Sequence, residues 1–310
     1  MNLISLHPRQ PFSFHWSSII FEHHDSSVRV YANRVFTLAA SLSTGPVILT
    51  VEQKDEDVNS PLVLSIHSDE PVLPGMTSEA SAVISRVFAL DEDLTEFYLA
   101  IGGDPVMAGL ARRFYGLHSP ATPTVFEALV DSVIEQQISL SVARGLEYRF
   151  IRRYGQSFTV KNQEYFCYPT PDQLASVPIE GYRECGLTIR KGEYIRNIAQ
   201  KILDGGLDLE VLKEYSDPEE IIDLLCEIRG IGRWTAELTM LRGLHRMDAF
   251  PADDIALRRI ISRWYYGGRK ISGSEAMEIA ERWENLKGLA SFYLEISEHC
   301  GVAPESLSQV

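Results

Sequence analysis

The chain has 310 residues, a formal net charge of −14 at pH 7, 45% hydrophobic residues and 23% charged residues. These values are typical of a globular protein with two or three subdomains. No stretch of 18 apolar residues and no basic leader with an apolar run is present, so we expect neither a membrane span nor a signal peptide. The four cysteines lack the close spacing of a zinc site.

Residues 1–88 read as a small α+β unit. Short β-like runs are separated by turn residues at 32–33, 43–46 and 59–61; the runs are 28–31, 35–38, 47–51 and 62–66. Two further stretches, Trp16 to Phe21 and Glu79 to Phe88, have helical spacing. The sequence therefore predicts an antiparallel sheet covered by one or two helices.

From Leu90 onward the apolar spacing is helical. Residues 120–123 form a proline-rich linker, and residues 125–154 predict two consecutive helices. Near the end of the chain, helices are predicted at 272–283 and 289–299. The second part of the chain is therefore predicted to be mostly α-helical.

The stretch 217–244 predicts two helices joined by a glycine hairpin. Asp217 and Pro218 are an N-cap and a first helical residue, and a helical pattern resumes from Trp234 after Gly230-Ile231-Gly232. Glycines allow close backbone approach, and the free amides at a helix start favour an anion. The pattern suits a phosphate-binding hairpin, but the glycines taken alone favour a glycine cap between packed helices without a ligand.

The charge distribution bears on nucleic-acid binding. A net charge of −14 is unusual for a DNA-binding protein, because neutralisation of phosphates drives affinity. The segment 229–269 nevertheless contains eight arginines against four acids, and four more arginines lie within 144–153. The sequence is therefore compatible with a polarised molecule that has one basic face and a modest, salt-sensitive affinity for DNA.

A family resemblance lies in the run Ile228 to Ala236 together with Pro251 and Asp254 downstream. This pattern resembles the helix-hairpin-helix (HhH-GPD) DNA glycosylases, most closely the AlkA type. The resemblance implies an α+β N-terminal antiparallel-sheet domain followed by a mostly α-helical two-lobed core. The implied bounds are 1–88 for the first domain and 89–310 for the core, with lobes at 125–247 and at 89–124 plus 248–310.

The resemblance also implies a function. We expect a monofunctional DNA glycosylase that flips out and excises alkylated purines resembling 3-methyladenine, leaving an abasic site, in base excision repair. The expected partner is double-stranded DNA with damaged bases, bound by an intracellular monomer in the cytoplasm, nucleoid or nucleus. No cofactor is expected, and Cys300 stands alone where some relatives carry an iron–sulfur cluster.

Asp254 is the residue expected to carry the chemistry. Cleavage of a sugar–base bond passes through an oxocarbenium-like state that a carboxylate can stabilise, and Asp254 aligns with the family's catalytic aspartate at the start of a helix. Asp253 is its competitor. Trp234 stands where relatives that also cut the backbone have a Schiff-base lysine, so an amine nucleophile is missing. Trp234 and Gln136 are expected to line the base pocket.

DNA contacts are expected from the hairpin, and the residues carried over from the family are Gly230, Ile231, Gly232, Arg233 and Thr235. Gln137 aligns with the side chain that fills the gap left by the flipped base. The resemblance further implies a monovalent or divalent cation on the backbone carbonyls of Cys226, Ile228 and Ile231. Two aromatic pocket positions of the bacterial enzymes are occupied by Leu238 and, nearby, by Glu295.

Two other functions remain open from the sequence. A glycosylase for oxidised bases such as 8-oxoguanine would share the fold, although Trp234 in place of lysine argues against it. A non-catalytic helix-hairpin-helix DNA-binding protein would explain the hairpin and the arginines but would leave Asp254 without a role.

Overall fold

The computed structural model describes residues 3–53, 60–69, 71–304 and 306. Its N-terminal part is a five-stranded sheet with the order β1-β5-β4-β3-β2, in which every neighbouring pair is antiparallel. The strands are β1 (Leu3–Leu6), β2 (Arg29–Ala32), β3 (Val35–Leu42), β4 (Gly45–Gln53) and β5 (Leu62–His67). The sheet confirms the predicted architecture, and the edge strand β1 is an addition that the sequence pattern did not indicate.

Alternate residues of the strands give the sheet one apolar face. Along β3, Phe36, Leu38 and Ala40 are buried, and the same period of two continues in β4 and β5. This face packs against the helix Pro74–Val87 through residues such as Ala80 and Ile84, which are four positions apart.

The rest of the described chain is mostly helical, as predicted. The helices are α1 (Phe14–Ser18), α2 (Pro74–Val87), α3 (Thr95–Ala100), α4 (Pro105–Arg113), α5 (Val125–Glu135), α6 (Leu140–Tyr154), α7 (Pro171–Ala175), α8 (Ile179–Glu184), α9 (Ile189–Leu203), α10 (Pro218–Cys226), α11 (Arg233–Thr239), α12 (Ile255–Tyr265), α13 (Gly273–Ala280) and α14 (Lys287–His299). Short 3₁₀ segments lie at Ile19–Phe21, Ile101–Gly103, Glu210–Glu214 and Glu281–Leu286, and α11 continues as a π-helical turn at Met240–Leu244. None of the described helices has the length and apolar composition needed to cross a membrane.

The helical part contains a two-stranded hairpin that the sequence analysis missed. Strands β6 (Ser157–Val160) and β7 (Gln163–Phe166) pair through a turn whose central residues, Lys161 and Asn162, both have positive φ. The strands have only four residues each and the turn contains no glycine, so the local pattern carries little strand signal.

The described residues form three large hydrophobic clusters. One belongs to the sheet and α2. A second cluster joins α5, α6 and α9 to α10 and α11, and we call it the hairpin cluster because α10 and α11 flank the glycine hairpin at 230–232. The third, the C-terminal cluster, joins α3 and α4 to α12, α13 and α14. Leu241 packs against both helical clusters and marks their junction. The domain and lobe boundaries given above stay predictions.

A buried charge network connects the sheet to the hairpin cluster. The guanidinium of Arg29, on β2, donates to Glu127 and Glu147, each at 2.6 Å, and lies 3.6 Å from Asp131. Asp131 also accepts a hydrogen bond of 2.7 Å from the hydroxyl of Tyr168. One cation therefore faces three carboxylates in the interior.

Candidate active site

The glycine hairpin forms between α10 and α11. Gly230 has φ of +95°, and a Cβ built on it would lie 2.4 Å from the ring of Tyr194 on α9. Gly232 is the N-cap of α11 with φ of −106°, and a Cβ there would meet no atom within 4 Å. Gly230 is therefore required by the fold, whereas Gly232 leaves open space above the start of α11.

The start of α11 presents backbone amides to this space. The first three amides of the helix, those of Arg233, Trp234 and Thr235, have no partner within it. The side chains of Ile231 and Thr235 are buried, with 6% and 2% of their surface exposed. These two residues can therefore offer only backbone groups to DNA.

The end of α5 fixes the hairpin. Gln136 donates from Nε2 to the Gly230 carbonyl and to the Thr235 hydroxyl, each at 3.0 Å. Lys191 in turn donates from its buried Nζ to the carbonyls of Ile134 at 2.8 Å and Gln136 at 2.7 Å. Gln136, expected in the base pocket, is thus engaged in holding the hairpin.

Gln137 follows directly and is exposed, with φ of +59°. A non-glycine residue in the left-handed region costs free energy and persists only where the surroundings enforce it. The Lys191 and Gln136 contacts immediately before it provide that constraint. The side chain predicted to fill the DNA gap is therefore presented to solvent by a locally strained turn.

Asp254 and Trp234, predicted separately from the sequence, are in contact. Trp234 donates from its indole Nε1 to Oδ2 of Asp254 at 2.9 Å. The second oxygen, Oδ1, accepts the Leu257 amide at 2.8 Å, because Asp254 is the N-cap of α12. The carboxylate is half-buried and held by a donor on each oxygen, one from α11 and one from α12.

Asp253 occupies a different environment. It is exposed, and a Cβ built on Gly273, at the start of α13, would lie 2.4 Å from its Oδ1. Its carboxylate therefore points towards α13, while that of Asp254 contacts Trp234. The geometry separates two residues that the sequence distinguished only by alignment.

Most arginines of the predicted basic face are ion-paired within the chain. Seven of the eight in 229–269 have acidic partners: Arg229 with Glu193, Arg233 with Glu219 and Glu237, Arg242 with Glu135, Arg246 with Asp248, Arg259 and Arg263 with Glu298, and Arg269 with Glu275. In the second cluster, Arg152 pairs with Asp25 and Arg153 with Glu184. The arginine count therefore overstates the free positive charge of this surface.

A polar group lies beside Leu241 at the junction. Arg242 donates to Glu135 at 2.7 Å, and this neighbour helps to raise the pKa of the guanidinium above its ordinary value, although burial acts in the opposite direction. Glu295 is exposed, and partial desolvation together with the negative charges of Asp254 and Glu135 raises the pKa of its carboxyl above the ordinary value, against Arg242. Glu295 therefore belongs electrostatically to the group around Asp254.

The carbonyls predicted to hold a cation lie at the end of α10 and in the hairpin. The Ile228 carbonyl accepts the Ile231 amide at 3.0 Å, which leaves it a second lone pair. Among the described residues, no group of three or more His, Cys, Asp or Glu side chains is placed to hold a metal ion. A cation here would depend on backbone oxygens, and its presence stays a proposal.

Four residues in this region were not assigned a role from the sequence. Lys191 and Tyr194 support the loop and the hairpin, and Arg242 with Glu135 forms the polar group at the junction. A cue existed for Lys191, since a lysine in the first turn of a helix opposes the helix dipole and suggests a specific partner. The contacts of Tyr194 and Arg242 join residues distant in sequence and have no local signature.

Comparisons with known proteins agree with this geometry. A family model described as "HhH-GPD superfamily base excision DNA repair protein" matches residues 130–285. The chain is 34% identical over 235 residues to a DNA-3-methyladenine glycosylase of Bacillus subtilis, covering 75% of this chain and 77% of that protein. It is 26% identical to DNA-3-methyladenine glycosylase 2 of Escherichia coli, over 96% and 98% of the two chains. The solved structure of a 3-methyladenine DNA-glycosylase from Archaeoglobus fulgidus matches with a TM-score of 0.82 at 29% identity, over 96% and 99% of the two chains. These matches show that the chain belongs to the HhH-GPD superfamily of base excision DNA repair proteins, and the half-buried aspartate beside a glycine hairpin is consistent with them.

Proposed function

We propose that the protein is a monofunctional DNA glycosylase that removes alkylated purines from double-stranded DNA. The observation that carries this proposal is the Asp254 carboxylate, held by the Leu257 amide and the Trp234 indole next to the hairpin. The names of the relatives supply the substrate class. Release of 3-methyladenine from alkylated duplex DNA by the purified protein is the direct test.

The arrangement suggests how DNA is held. The amides at the start of α11 face the open space over Gly232 and would receive a backbone phosphate, because the helix dipole there favours an anion. Gln137, exposed on its strained turn, would occupy the gap left in the duplex. Flipping the base costs a few kcal/mol, which is least for a damaged, weakly paired base.

Bond cleavage then requires stabilisation of a positive sugar. The Asp254 carboxylate would lie beside C1′ of the flipped nucleotide, balance the developing charge and orient the attacking water. The hydrogen bond to Asp254 fixes the plane of the half-buried Trp234 ring. A face of this ring would stack on an electron-poor alkylated base.

Strand cleavage is not expected, because position 234 offers no amine. The indole nitrogen of Trp234 donates to Asp254 and is not nucleophilic. Lys191, which supports the end of α5, has its Nζ bound to two carbonyls in the interior. We therefore infer an abasic product with an intact DNA backbone. We also propose that the protein acts as an intracellular monomer. A further proposal is a cation bound by the hairpin carbonyls of Cys226, Ile228 and Ile231.

The absence of lyase activity gives a first prediction. Duplex DNA with one alkylated base should show strand breaks only after alkali treatment, and borohydride should trap no covalent complex with the protein. A gel with and without alkali measures this outcome. Breaks without alkali, together with a borohydride adduct, would contradict the monofunctional mechanism.

The two hairpin glycines give a second prediction. Gly232→Val introduces a side chain into open space at an ordinary φ, so the protein should fold normally while the phosphate approach is blocked. In Gly230→Ala the new methyl group would clash with the ring of Tyr194, and alanine would be held at an unfavourable positive φ. The free energy of unfolding should therefore fall by at least about 1–2 kcal/mol.

Thermal melting and binding to DNA with an abasic-site analogue separate these effects. The Tm of Gly232→Val should stay within a few degrees of the wild type. Its affinity for the abasic-analogue DNA should fall roughly tenfold or more, which corresponds to a loss of at least about 1.4 kcal/mol of binding free energy. Unchanged affinity of a folded Gly232→Val protein would show that the hairpin has only a structural role.

A further inference from the structure

Lys191 is a buried residue on one helix whose ammonium group is bound to the end of another. It lies in the first turn of α9, and only 8% of its surface is exposed. Its Nζ donates to the carbonyls of Ile134 at 2.8 Å and Gln136 at 2.7 Å, at the end of α5. A cation is unfavourable at the start of its own helix, whereas the last carbonyls of α5 lack partners within that helix and form the negative end of its dipole. Lys191 therefore stabilises the end of α5 at the expense of α9.

The ammonium also fixes the peptide group that precedes Gln137. The carbonyl of Gln136 and the amide of Gln137 belong to one planar peptide unit. The donor at 2.7 Å on that carbonyl therefore sets the orientation of the plane from which the φ of Gln137 is measured. This φ is +59°, a left-handed conformation that a non-glycine residue keeps only under constraint. Lys191 thus acts directly on the backbone that carries the exposed Gln137 side chain.

The same part of α9 supports the glycine hairpin. Tyr194 follows Lys191 by three residues, so both side chains lie on one face of the helix. The Tyr194 ring lies against Gly230, where a Cβ would be 2.4 Å from it. Gln136 connects the two loops, because its side chain donates to the Gly230 carbonyl at 3.0 Å. The turn that carries Gln137 and the hairpin are therefore held in a fixed relation by α9.

We propose that Lys191 is a positioning residue for base extrusion, which holds Gln137 in the conformation that enters the DNA duplex as the damaged base leaves it. This inference rests on the proposed glycosylase function and on the part proposed there for Gln137, and it adds a buried residue that acts only through its neighbours. Extrusion of a base costs stacking and pairing energy, and the cost is least for a base without a partner. The contribution of Lys191 should therefore be largest for a paired lesion.

Single-turnover excision of 7-methylguanine from two duplexes tests the proposal. In one duplex the lesion lies opposite cytosine, and in the other it lies in a single-nucleotide bulge without an opposing base. Lys191→Met keeps a long unbranched side chain but removes the donor to both carbonyls. Excision opposite cytosine should fall roughly 10–10²-fold, as expected when a group outside the chemistry shifts the site slightly. Excision from the bulge should change by less than about threefold.

The dependence on Gln137 separates positioning from general stabilisation of the fold. Gln137→Ala removes the inserted side chain and should itself slow excision opposite cytosine. In the Gln137→Ala protein, Lys191→Met should slow this reaction by no more than about threefold further, because no side chain is left to position, so the two effects are not additive. A substitution that merely weakened the fold would slow excision from both duplexes, with or without Gln137.

Two further variants control for folding, which thermal melting reports in each case. Lys201→Met is the matched control, since Lys201 is exposed in the last turn of the same helix, and it should leave both rates unchanged. Lys191→Gln offers an uncharged donor on a shorter side chain and replaces Lys191→Met if the latter does not fold. It should show the same selective loss opposite cytosine, at a smaller size.

The outcomes distinguish this inference from the proposed function. The inference is overturned if the wild-type protein excises 7-methylguanine while the folded Lys191 variants slow both duplexes equally or slow neither. It is also overturned if Lys191→Met slows the Gln137→Ala protein as much as it slows the wild type. A wild-type protein that excises the base from neither duplex overturns the proposed function, and this inference with it.

Discussion

Asp254→Asn is expected to reduce single-turnover excision of an alkylated base by about 10²–10³-fold, equivalent to roughly 3–4 kcal/mol, by analogy with the loss of one oxyanion-hole donor. The charge that balances the positive sugar disappears, while the side chain keeps its size. Asparagine is as good an N-cap as aspartate, so the Leu257 amide keeps its acceptor. The amide group cannot also accept from the Trp234 indole, so the ring loses that hydrogen bond.

Asp253→Asn is the matched control, because the neighbouring residue is exposed and points towards Gly273. It should retain excision within about threefold of the wild type. Thermal melting and binding to abasic-analogue DNA check that both variants are folded and bind DNA. An active Asp254→Asn with an inactive Asp253→Asn would shift the assignment by one residue, and activity in both would remove the catalytic role from this turn.

The local features of the site could be predicted from the sequence because each depends on neighbouring residues. The cap at Asp217-Pro218, the hairpin glycines and the helix starting after Asp254 are short-range signals, and the structure contains all of them. The different roles of the two glycines could not be predicted. Gly230 is required by Tyr194 on α9, a contact that exists only after the helices have packed.

The behaviour of the arginines shows a second limit. Counting charges along 229–269 suggested a basic face, but partners such as Glu193, Glu219 and Glu298 come from other helices. Ion pairing depends on tertiary geometry, and a local excess of arginine therefore says little about free charge. Because the chain has a net charge of −14 and most of these arginines are ion-paired, we propose that backbone amides carry much of the phosphate binding.

Replacing Arg29 by methionine is expected to lower the free energy of unfolding by about 3–5 kcal/mol, because it leaves buried carboxylates without their cation. Arg29 is 7% exposed and contacts Glu127 and Glu147 at 2.6 Å each. It also joins β2 to α5 and α6, so the loss affects the attachment of the sheet to the hairpin cluster. For a chain of this size the Tm should fall by roughly 5–15 °C.

Asp131→Asn is the matched substitution, with the opposite expectation. Burial, followed by the charge of Glu147, raises the pKa of Asp131 well above its ordinary value in spite of Arg29. A carboxyl with a raised folded pKa contributes stability that is present at low pH and is lost as pH rises from the unfolded pKa towards the folded one. Asparagine stays neutral and still accepts from the Tyr168 hydroxyl, so this variant should equal or exceed the wild type in stability at neutral pH.

Melting curves of both variants and the wild type at about pH 5 and about pH 8 measure these effects. The cost of Arg29→Met should be larger at the higher pH, because Glu127 and Asp131, whose pKa values burial raises, are then more fully ionised without their cation. Asp131→Asn should flatten the decline in Tm towards alkaline pH. If Arg29→Met melts within 2 °C or so of the wild type at both pH values, the network adds little to stability, and burial of the surrounding apolar residues alone holds the sheet on the helical core.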